Sequence, residues 1–165
     1  MLEPTVAEIE LHVHAGGWDR PPQLFALVRA GRFTADDPAT AARLGVDRLP
    51  ADALTPVEQD GLPDEPLDDL LAGIAWPAAV EGCAISQEIV ILPPSAEAEL
   101  TDDHLAARAS SHPERREARL VVAVLRDGDS AALLRLRDAD GADDLLTGPD
   151  LAPNLVAALL ATFAD

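Results

Sequence analysis

The sequence has no lysine and no tyrosine, a single cysteine and few aromatic residues. Its 12 basic residues are all arginine and stand against 30 acidic residues, which gives a formal net charge of −18. This charge opposes binding to a phosphate backbone or an anionic membrane, so we expect no nucleic-acid partner and no membrane partner. Because Cys83 cannot form an internal disulfide, the cysteine content favours a cytoplasmic protein.

Long apolar runs are also absent. A membrane-spanning helix needs about 20 consecutive, mostly apolar residues, and no such stretch occurs. The first residues lack the basic and apolar regions of a signal peptide. With 48% hydrophobic residues among 165 positions, the chain is expected to form one domain over residues 1–165 with a core of its own.

The start of the chain carries two competing patterns. Thr5 and Glu8 have the spacing of a capping box, and Gly16-Gly17 supplies a stop, which together predict a helix over residues 4–15. Strict alternation over Glu8–His14 is instead typical of a half-buried strand. We favour the helix because its start and stop signals agree with the apolar residues at helical spacing, which are Leu2, Val6, Ile9 and Val13.

The segment Gly-Trp-Asp-Arg-Pro-Pro-Gln-Leu-Phe-Ala-Leu-Val over residues 17–28 is the most specific part of the chain. Pro21-Pro22 fixes an extended approach, and the apolar run Leu24–Val28 predicts a strand buried on both faces. Asp19 and Arg20 are adjacent, which suggests a local cap or ion pair. The segment therefore indicates a junction between a helix and a buried strand.

Several later segments carry helix signals. Asp37-Pro38 predicts the start of a short helix that closes at Gly45. The stretch Thr55-Pro56-Val57-Glu58 has the form of a second capping box, with proline at the first helical position. Residues 67–74 have a one-sided apolar stripe, and residues 101–110 predict another helix. Residues 61–65, within an acidic and proline-rich stretch, are interpreted as an exposed loop.

Strand signals come from longer apolar runs. The longest strand is predicted over Ala79–Leu92 and is ended by Pro93-Pro94. Two runs, Ala118–Leu125 and Ser130–Arg137, flank an Asp-Gly pair and predict a hairpin.

The pattern of apolar residues favours one hairpin register. A two-residue loop would place Leu120 across from Arg135, whereas a loop one residue longer makes one face wholly apolar. The longer loop pairs Leu120, Val122 and Val124 with Leu136, Leu134 and Ala132. It also brings Arg119, Arg135 and Arg137 together on the opposite face.

The C-terminal part completes the predicted fold. Leu145–Thr147 predicts a short edge strand, and Gly148-Pro149-Asp150 is expected to start the final helix. The buried side of that helix is marked by Leu151, Leu155, Leu159 and Phe163. The elements together predict an α+β fold, an antiparallel sheet of about five strands with N- and C-terminal helices packed on it.

The residues that could carry chemistry form no recognised motif. His12 and His14 would share a face only on a strand, where a third ligand could complete a zinc site. Cys83 lies in a patterned strand, which favours a buried structural thiol over a nucleophile. Residues 138–144 lack the spacing of a calcium loop, and no phosphate loop or dinucleotide motif occurs. The sequence therefore predicts no catalytic residue, no metal and no cofactor.

The arginines give the best remaining candidate site. Half of them fall between residues 115 and 137. Because arginine binds carboxylates and phosphates through paired hydrogen bonds, Arg119, Arg135 and Arg137 are candidate ligand-binding residues for a small anion. The competing interpretation is that they pair with the chain's own acidic residues.

Several segments together resemble an uncharacterised family of small acidic actinobacterial proteins. They are residues 17–28, Ile74-Ala75-Trp76-Pro77, Glu81-Gly82-Cys83, residues 92–97, Val121–Gly128 and Gly148-Pro149-Asp150-Leu151. The resemblance spans most of the chain and implies a single cytoplasmic domain and a GC-rich source, but no activity, substrate or cofactor. More loosely, a sheet flanked by terminal helices is similar to the secretion-chaperone-like fold, whose members bind other proteins and often dimerise.

Two functions follow as expectations. An apolar sheet with few helices predicts an uncovered face, and hence a non-enzymatic protein-interaction or chaperone-like adaptor module. Its partner would be another protein or a second copy in a homodimer. The alternative is a small anionic-ligand binder or enzyme that uses the arginine-rich face of the sheet.

Overall fold

The computed structural model describes residues 2–59, 66–91, 116–137, 144–147 and 152–163. The strands are β1 Gln23–Arg29, β2 Leu54–Glu58, β3 Val80–Ile91, β4 Arg116–Leu125, β5 Ser130–Leu136 and β6 Asp144–Thr147. They form one sheet in the order β2-β1-β3-β4-β5-β6, and every neighbouring pair is antiparallel. The predicted α+β class is therefore confirmed.

Helices pack on both faces of this sheet. The helices of the described residues are α1 Glu3–Ala15, α2 Ala30–Asp36, α3 Pro38–Leu44, α4 Leu67–Ala72 and α5 Pro153–Ala161, with a 3₁₀ turn at Val46–Arg48. Helices α2 and α3 form a small apolar cluster of their own with this turn. The apolar stripe of α1 packs on one face of the sheet, and the apolar sides of α4 and α5 pack on the other. The central strands β3 and β4 are thus covered on both faces, where the sequence had predicted an uncovered one.

The N-terminal helix is confirmed, but its predicted capping box is wrong. The helix begins at Glu3, and the preceding Leu2 makes no side-chain cap hydrogen bond. Thr5 lies inside the first turns and is buried. Pro4 can occupy the first turn because the N–H that it lacks would have no helical partner there. The helix ends as predicted, and Gly17 adopts the left-handed φ of 85° that favours glycine.

The segment Thr55-Pro56-Val57-Glu58 was predicted to start a helix, and this is wrong. It forms β2, which pairs with β1 so that Leu27 lies opposite Pro56. Because β2 is the edge of the sheet, the missing N–H of Pro56 removes no ladder bond to a further strand. Thr55 and Glu58 have the spacing of a capping box, but they lie in a strand.

The β4–β5 hairpin is confirmed with a register that differs from the predicted one by two residues. Leu120 lies opposite Leu134, not Leu136. A three-residue loop, Arg126–Gly128, is closed by the hydrogen bond from Leu125 N to Asp129 O at 2.8 Å. Gly128 has a φ of 99°, which suits the left-handed position of such loops. Because side chains alternate with a period of two, the predicted faces are still correct.

The other predicted elements are mostly confirmed. Helix α3 is capped by Asp37, whose side chain accepts a hydrogen bond from Thr40 N, and closes at Gly45. Helix α2 was not predicted, and α5 begins at Pro153 instead of at residues 148–150. The predicted loop at 61–65, the strand end at Pro93-Pro94 and the helix at 101–110 lie outside the described residues.

Candidate functional site

The hairpin brings the three predicted arginines together. Arg119 on β4 lies directly opposite Arg135 on β5, and Arg137 follows the end of β5. Arg119 is fully buried and Arg135 nearly so. Two guanidinium groups side by side beneath a helix need compensating negative charge, because an uncompensated buried charge is strongly destabilising.

Glu10 of α1 supplies that charge. Its carboxylate accepts two hydrogen bonds from Arg135, from Nε at 2.7 Å and from Nη2 at 2.5 Å. The same carboxylate lies 3.8 Å from Nη1 of Arg119. Glu10 is itself buried, with 1% of its surface exposed. Such a two-bond pairing is the strongest geometry for an arginine and a carboxylate, and it joins α1 to the sheet.

Trp18 packs against two of the arginines. Its ring centroid lies 4.4 Å from the Cζ of Arg119 and 5.2 Å from that of Arg137. Arg119 Nη2 also donates a hydrogen bond to the carbonyl of Gly17 at 2.5 Å. These cation–π and hydrogen-bond contacts hold the junction after α1 against β4.

The residues after Trp18 complete the cluster. Asp19 has a φ of 66°, and its carboxylate lies 3.0 Å from Arg137 Nη1, which also bonds Glu117. The hydrogen bond to Asp19 raises the pKa of Arg137 further above its ordinary value. The backbone N–H groups of Asp19 and Arg20 donate to Glu88 on β3. The ion pair suggested for Asp19 thus exists, but its partner is Arg137 instead of Arg20.

We call this group the arginine–tryptophan cluster: Glu10, Trp18, Asp19, Glu88, Glu117, Arg119, Arg135 and Arg137. Each of its three arginines contacts at least one carboxylate. An external anion would have to compete with these carboxylates for the guanidinium groups. The geometry therefore favours a structural role that fixes α1 and the Gly17–Arg20 junction on the sheet.

The histidines and the cysteine do not form a reactive site in the described residues. His12 is exposed and lies 3.5 Å from Glu58, whereas His14 lies 3.4 Å from Arg119. Within the described ranges, no three His, Cys, Asp or Glu side chains are grouped so as to hold a metal ion.

Cys83 is the buried thiol that the sequence predicted. Its Sγ lies 3.8 Å from Thr162 Oγ1, which also accepts a hydrogen bond from Trp76 Nε1 at 2.9 Å. Burial raises the pKa of the Cys83 thiol to about 11. A thiol that stays protonated at neutral pH is a poor nucleophile.

A second feature, a cleft of about 900 Å³, lies at one end of the sheet. Its walls are the first turns of α1, the helical connection from β1 to β2 (residues 30–53, here called the crossover), strand β2 itself and the β4–β5 turn. We call it the crossover cleft. Its apolar lining includes Leu44, Val46, Leu49, Pro50, Leu54 and Leu125. Leu44 is 62% exposed and Leu49 46%, which is unusual for leucines that could pack into a core.

Four carboxylates line the cleft together with these apolar side chains. They belong to Glu8, Asp52, Asp127 and Asp129, and all four residues are exposed. Arg29 is the arginine in the lining, and its Nη1 donates to the carbonyl of Asp52 at 2.6 Å. Among the described residues, no arginine forms an ion pair with these four carboxylates. None of the three arginines predicted as ligand-binding residues lines the cleft.

A family model described as PPA1309-like protein matches residues 2–164. The chain belongs to this family. The match includes both the arginine–tryptophan cluster and the crossover cleft, and it agrees with the predicted membership of an uncharacterised family. Because the PPA1309-like family is uncharacterised, membership brings no activity with it.

No curated protein and no solved structure matches the chain. The loose likeness to secretion chaperones therefore has no matching structure behind it. Within the part of the chain that the structure describes, no helix combines the length and apolar character needed to cross a membrane.

Sequence reasoning found the arginines but missed two features. Glu10 occupies the apolar stripe of α1, between Val6 and Val13, and this position alone could have indicated a buried partner for them. The crossover cleft had no comparable signal. Its walls come from separate segments of the chain, and β2 had been interpreted as the start of a helix.

Proposed function

We propose that this PPA1309-like protein is a non-enzymatic protein-interaction module that receives a segment of another protein in the crossover cleft, and that it acts in the cytoplasm. The observation that carries the proposal is the cleft's pair of exposed leucines, Leu44 and Leu49. They are two of four large apolar side chains that are exposed among the described residues. Exposed apolar side chains grouped in a concavity are typical of interaction sites.

The chemistry of the described residues supports binding over catalysis. The thiol of Cys83 is buried and protonated at neutral pH. The arginines of the cluster are occupied by carboxylates, so the anion-binding alternative has no free guanidinium in its favour. The cleft instead combines an apolar lining with an open mouth, as a surface that accepts side chains of a partner does.

Photo-crosslinking in the cell that naturally makes the protein tests this proposal. Leu49 is replaced by benzoylphenylalanine in one variant, and Leu11 in a matched control. Leu11 is 64% exposed on α1 but does not line the cleft. We expect a defined protein adduct from position 49 that is absent from position 11. Equal adducts from both positions, or none from position 49, would overturn the proposal.

Self-association is a separate prediction. A homodimer through the crossover cleft would bring two rims of carboxylates together, and like charges at an interface are unfavourable. We therefore favour a different protein as the occupant of the cleft. A dimer through another surface stays a prediction to be measured in solution.

A further inference from the structure

We infer that the segment bound in the crossover cleft is cationic and amphipathic, with arginine or lysine side chains that alternate with leucine-like apolar ones. This inference rests on the proposed function, because it names the chemistry of the partner for the same cleft. Two properties of the cleft carry it, the pairing state of its carboxylates and their position around the exposed leucines.

The carboxylates of the arginine–tryptophan cluster and those of the crossover cleft differ in their pairing. Those of the arginine–tryptophan cluster are matched to arginines, as the contacts of Glu10 with Arg135 and of Asp19 with Arg137 show. Those around the cleft are exposed and make no ion pair with an arginine among the described residues. The excess negative charge at the cleft is therefore available to a partner.

The hydrogen bonds of the cleft leave this charge accessible. Asp127 accepts the N–H of Asp129 through Oδ1, and Asp129 accepts the N–H of Ser130 through its own Oδ1. These bonds fix the direction of both side chains and leave Oδ2 of each available. Glu8 and Asp52 line the same cleft from two other elements, α1 and the connection between β1 and β2. Carboxylates that line one cleft from separate elements are suited to two cationic side chains on one segment.

Leu44 and Leu49 indicate which residues should lie between the cationic side chains of the partner segment. Leu44 and Leu49 are covered best by an apolar side chain, since burial of apolar surface contributes about 25 cal/mol per Å². The aliphatic stems of a purely cationic ligand would cover them only in part, and an anionic ligand would be repelled by the carboxylates. The matching partner therefore alternates basic and apolar residues.

Fluorescence anisotropy with a labelled synthetic peptide of alternating arginine and leucine tests the inference on the full chain. Two further peptides replace leucine by serine or arginine by glutamate. We expect the arginine–leucine peptide to bind about tenfold more tightly than the serine peptide, and the glutamate peptide not to bind. Equal affinity for the leucine and serine peptides would overturn the inference, because charge alone would then explain binding.

Matched variants separate the cleft from the general acidity of the protein. Glu8→Gln with Asp52→Asn should weaken the arginine–leucine peptide about threefold to tenfold, as expected for loss of two exposed charge contacts. Asp36→Asn with Asp69→Asn removes the same charge outside the cleft and should change affinity less than about twofold. Equal weakening by both pairs would overturn the inference.

The apolar contribution has a control of the same kind. Leu44→Ser with Leu49→Ser should weaken binding of the arginine–leucine peptide about tenfold, and Leu11→Ser should leave its binding unchanged.

The two proposals can fail separately. If position 49 crosslinks to a protein but the peptide does not bind, the partner chemistry is wrong and the interaction function stands. If position 49 gives no specific adduct, the interaction function itself is wrong.

Discussion

Glu10 occupies a position on α1 whose neighbours on the same face are apolar. Its carboxylate lies between Arg119 and Arg135, both buried, so it balances charge that the sheet itself creates. Buried ion pairs often contribute little over an apolar replacement, yet the loss of one partner is costly because the other charge remains. The contribution of Glu10 to stability is therefore measured only when Glu10 is replaced and both arginines are kept.

Glu10→Ala should lower the free energy of unfolding by about 3–5 kcal/mol, measured by urea denaturation. Asp36→Ala is the matched control, because Asp36 pairs with Arg32 on the surface of α2 at 3.0 Å. Exposed pairs of this kind contribute less than about 1 kcal/mol. Similar small losses for the two variants would show that the buried cluster does not stabilise the fold.

Cys83 is protected by its surroundings, and the consequence can be measured. Its thiol should react with a thiol reagent at pH 8 only after unfolding, since the pKa is raised from 9.0 to about 11 by burial. The raised pKa also means that the native state holds the proton more tightly than the unfolded state. The stability contributed is complete below about pH 9 and is lost as the pH rises towards 11.

The variant Cys83→Ala should flatten the loss of stability between pH 9 and 11 relative to wild type. Rapid labelling of the folded wild-type protein at pH 8 would contradict the account of a buried thiol.

At the scale of elements, the sequence pattern predicted which face of a strand each side chain takes better than it predicted where strands begin and how they pair. The hairpin faces were predicted correctly because apolar alternation fixes which side each residue takes. The pairing was wrong by two residues because the loop is Arg126–Gly128 and the pattern does not say where a three-residue loop begins. Strand β2 was missed because Thr55 and Glu58 mimic a helix start, whereas its pairing with β1 is a long-range contact.

The hairpin loop provides a test at this scale. Gly128→Ala should reduce the free energy of unfolding by about 1–2 kcal/mol, because φ at this position is 99°. Gly73→Ala is the control. Gly73 has a φ of −90°, and the nearest atom to a new Cβ would lie 3.7 Å away. Equal effects in chemical denaturation would mean that the loop is not held in the left-handed conformation.

The candidate site was likewise predicted only in part. Arg119, Arg135 and Arg137 could be predicted to share a face, since this depends on local alternation within one hairpin. Their partners Glu10 and Asp19 lie more than 100 positions away in the chain. No local pattern specifies such pairs, so the sequence left a ligand site and an internal ion-pair network as two interpretations of the same arginines.

At the scale of the whole molecule, the acidic composition has two uses. Part of the negative charge belongs to the carboxylates of the arginine–tryptophan cluster, which hold α1 and the segment after Gly17 to the sheet. The part around the crossover cleft is left for solvent or a partner. A net charge of −18 also favours solubility through self-repulsion. The proposed function thus concerns a surface that the prediction of an uncovered sheet face did not include.

Sedimentation of the purified chain measures the predicted homodimer. A mass near 17.4 kDa at high concentration would remove that prediction. A stable dimer would support it, and the variant Leu44→Ser with Leu49→Ser should then remain dimeric if the cleft is kept for another protein. A dimer that this variant converts to monomer would instead place the second copy in the cleft.

Hydrogen–deuterium exchange of the full chain with and without the arginine–leucine peptide tests the central claim most directly, because it shows where a partner of this chemistry binds. We predict slower exchange over residues 44–56 and 125–129, which form two of the walls of the crossover cleft. Unchanged exchange in both segments, with protection elsewhere or nowhere, would contradict the assignment of the cleft as the binding site.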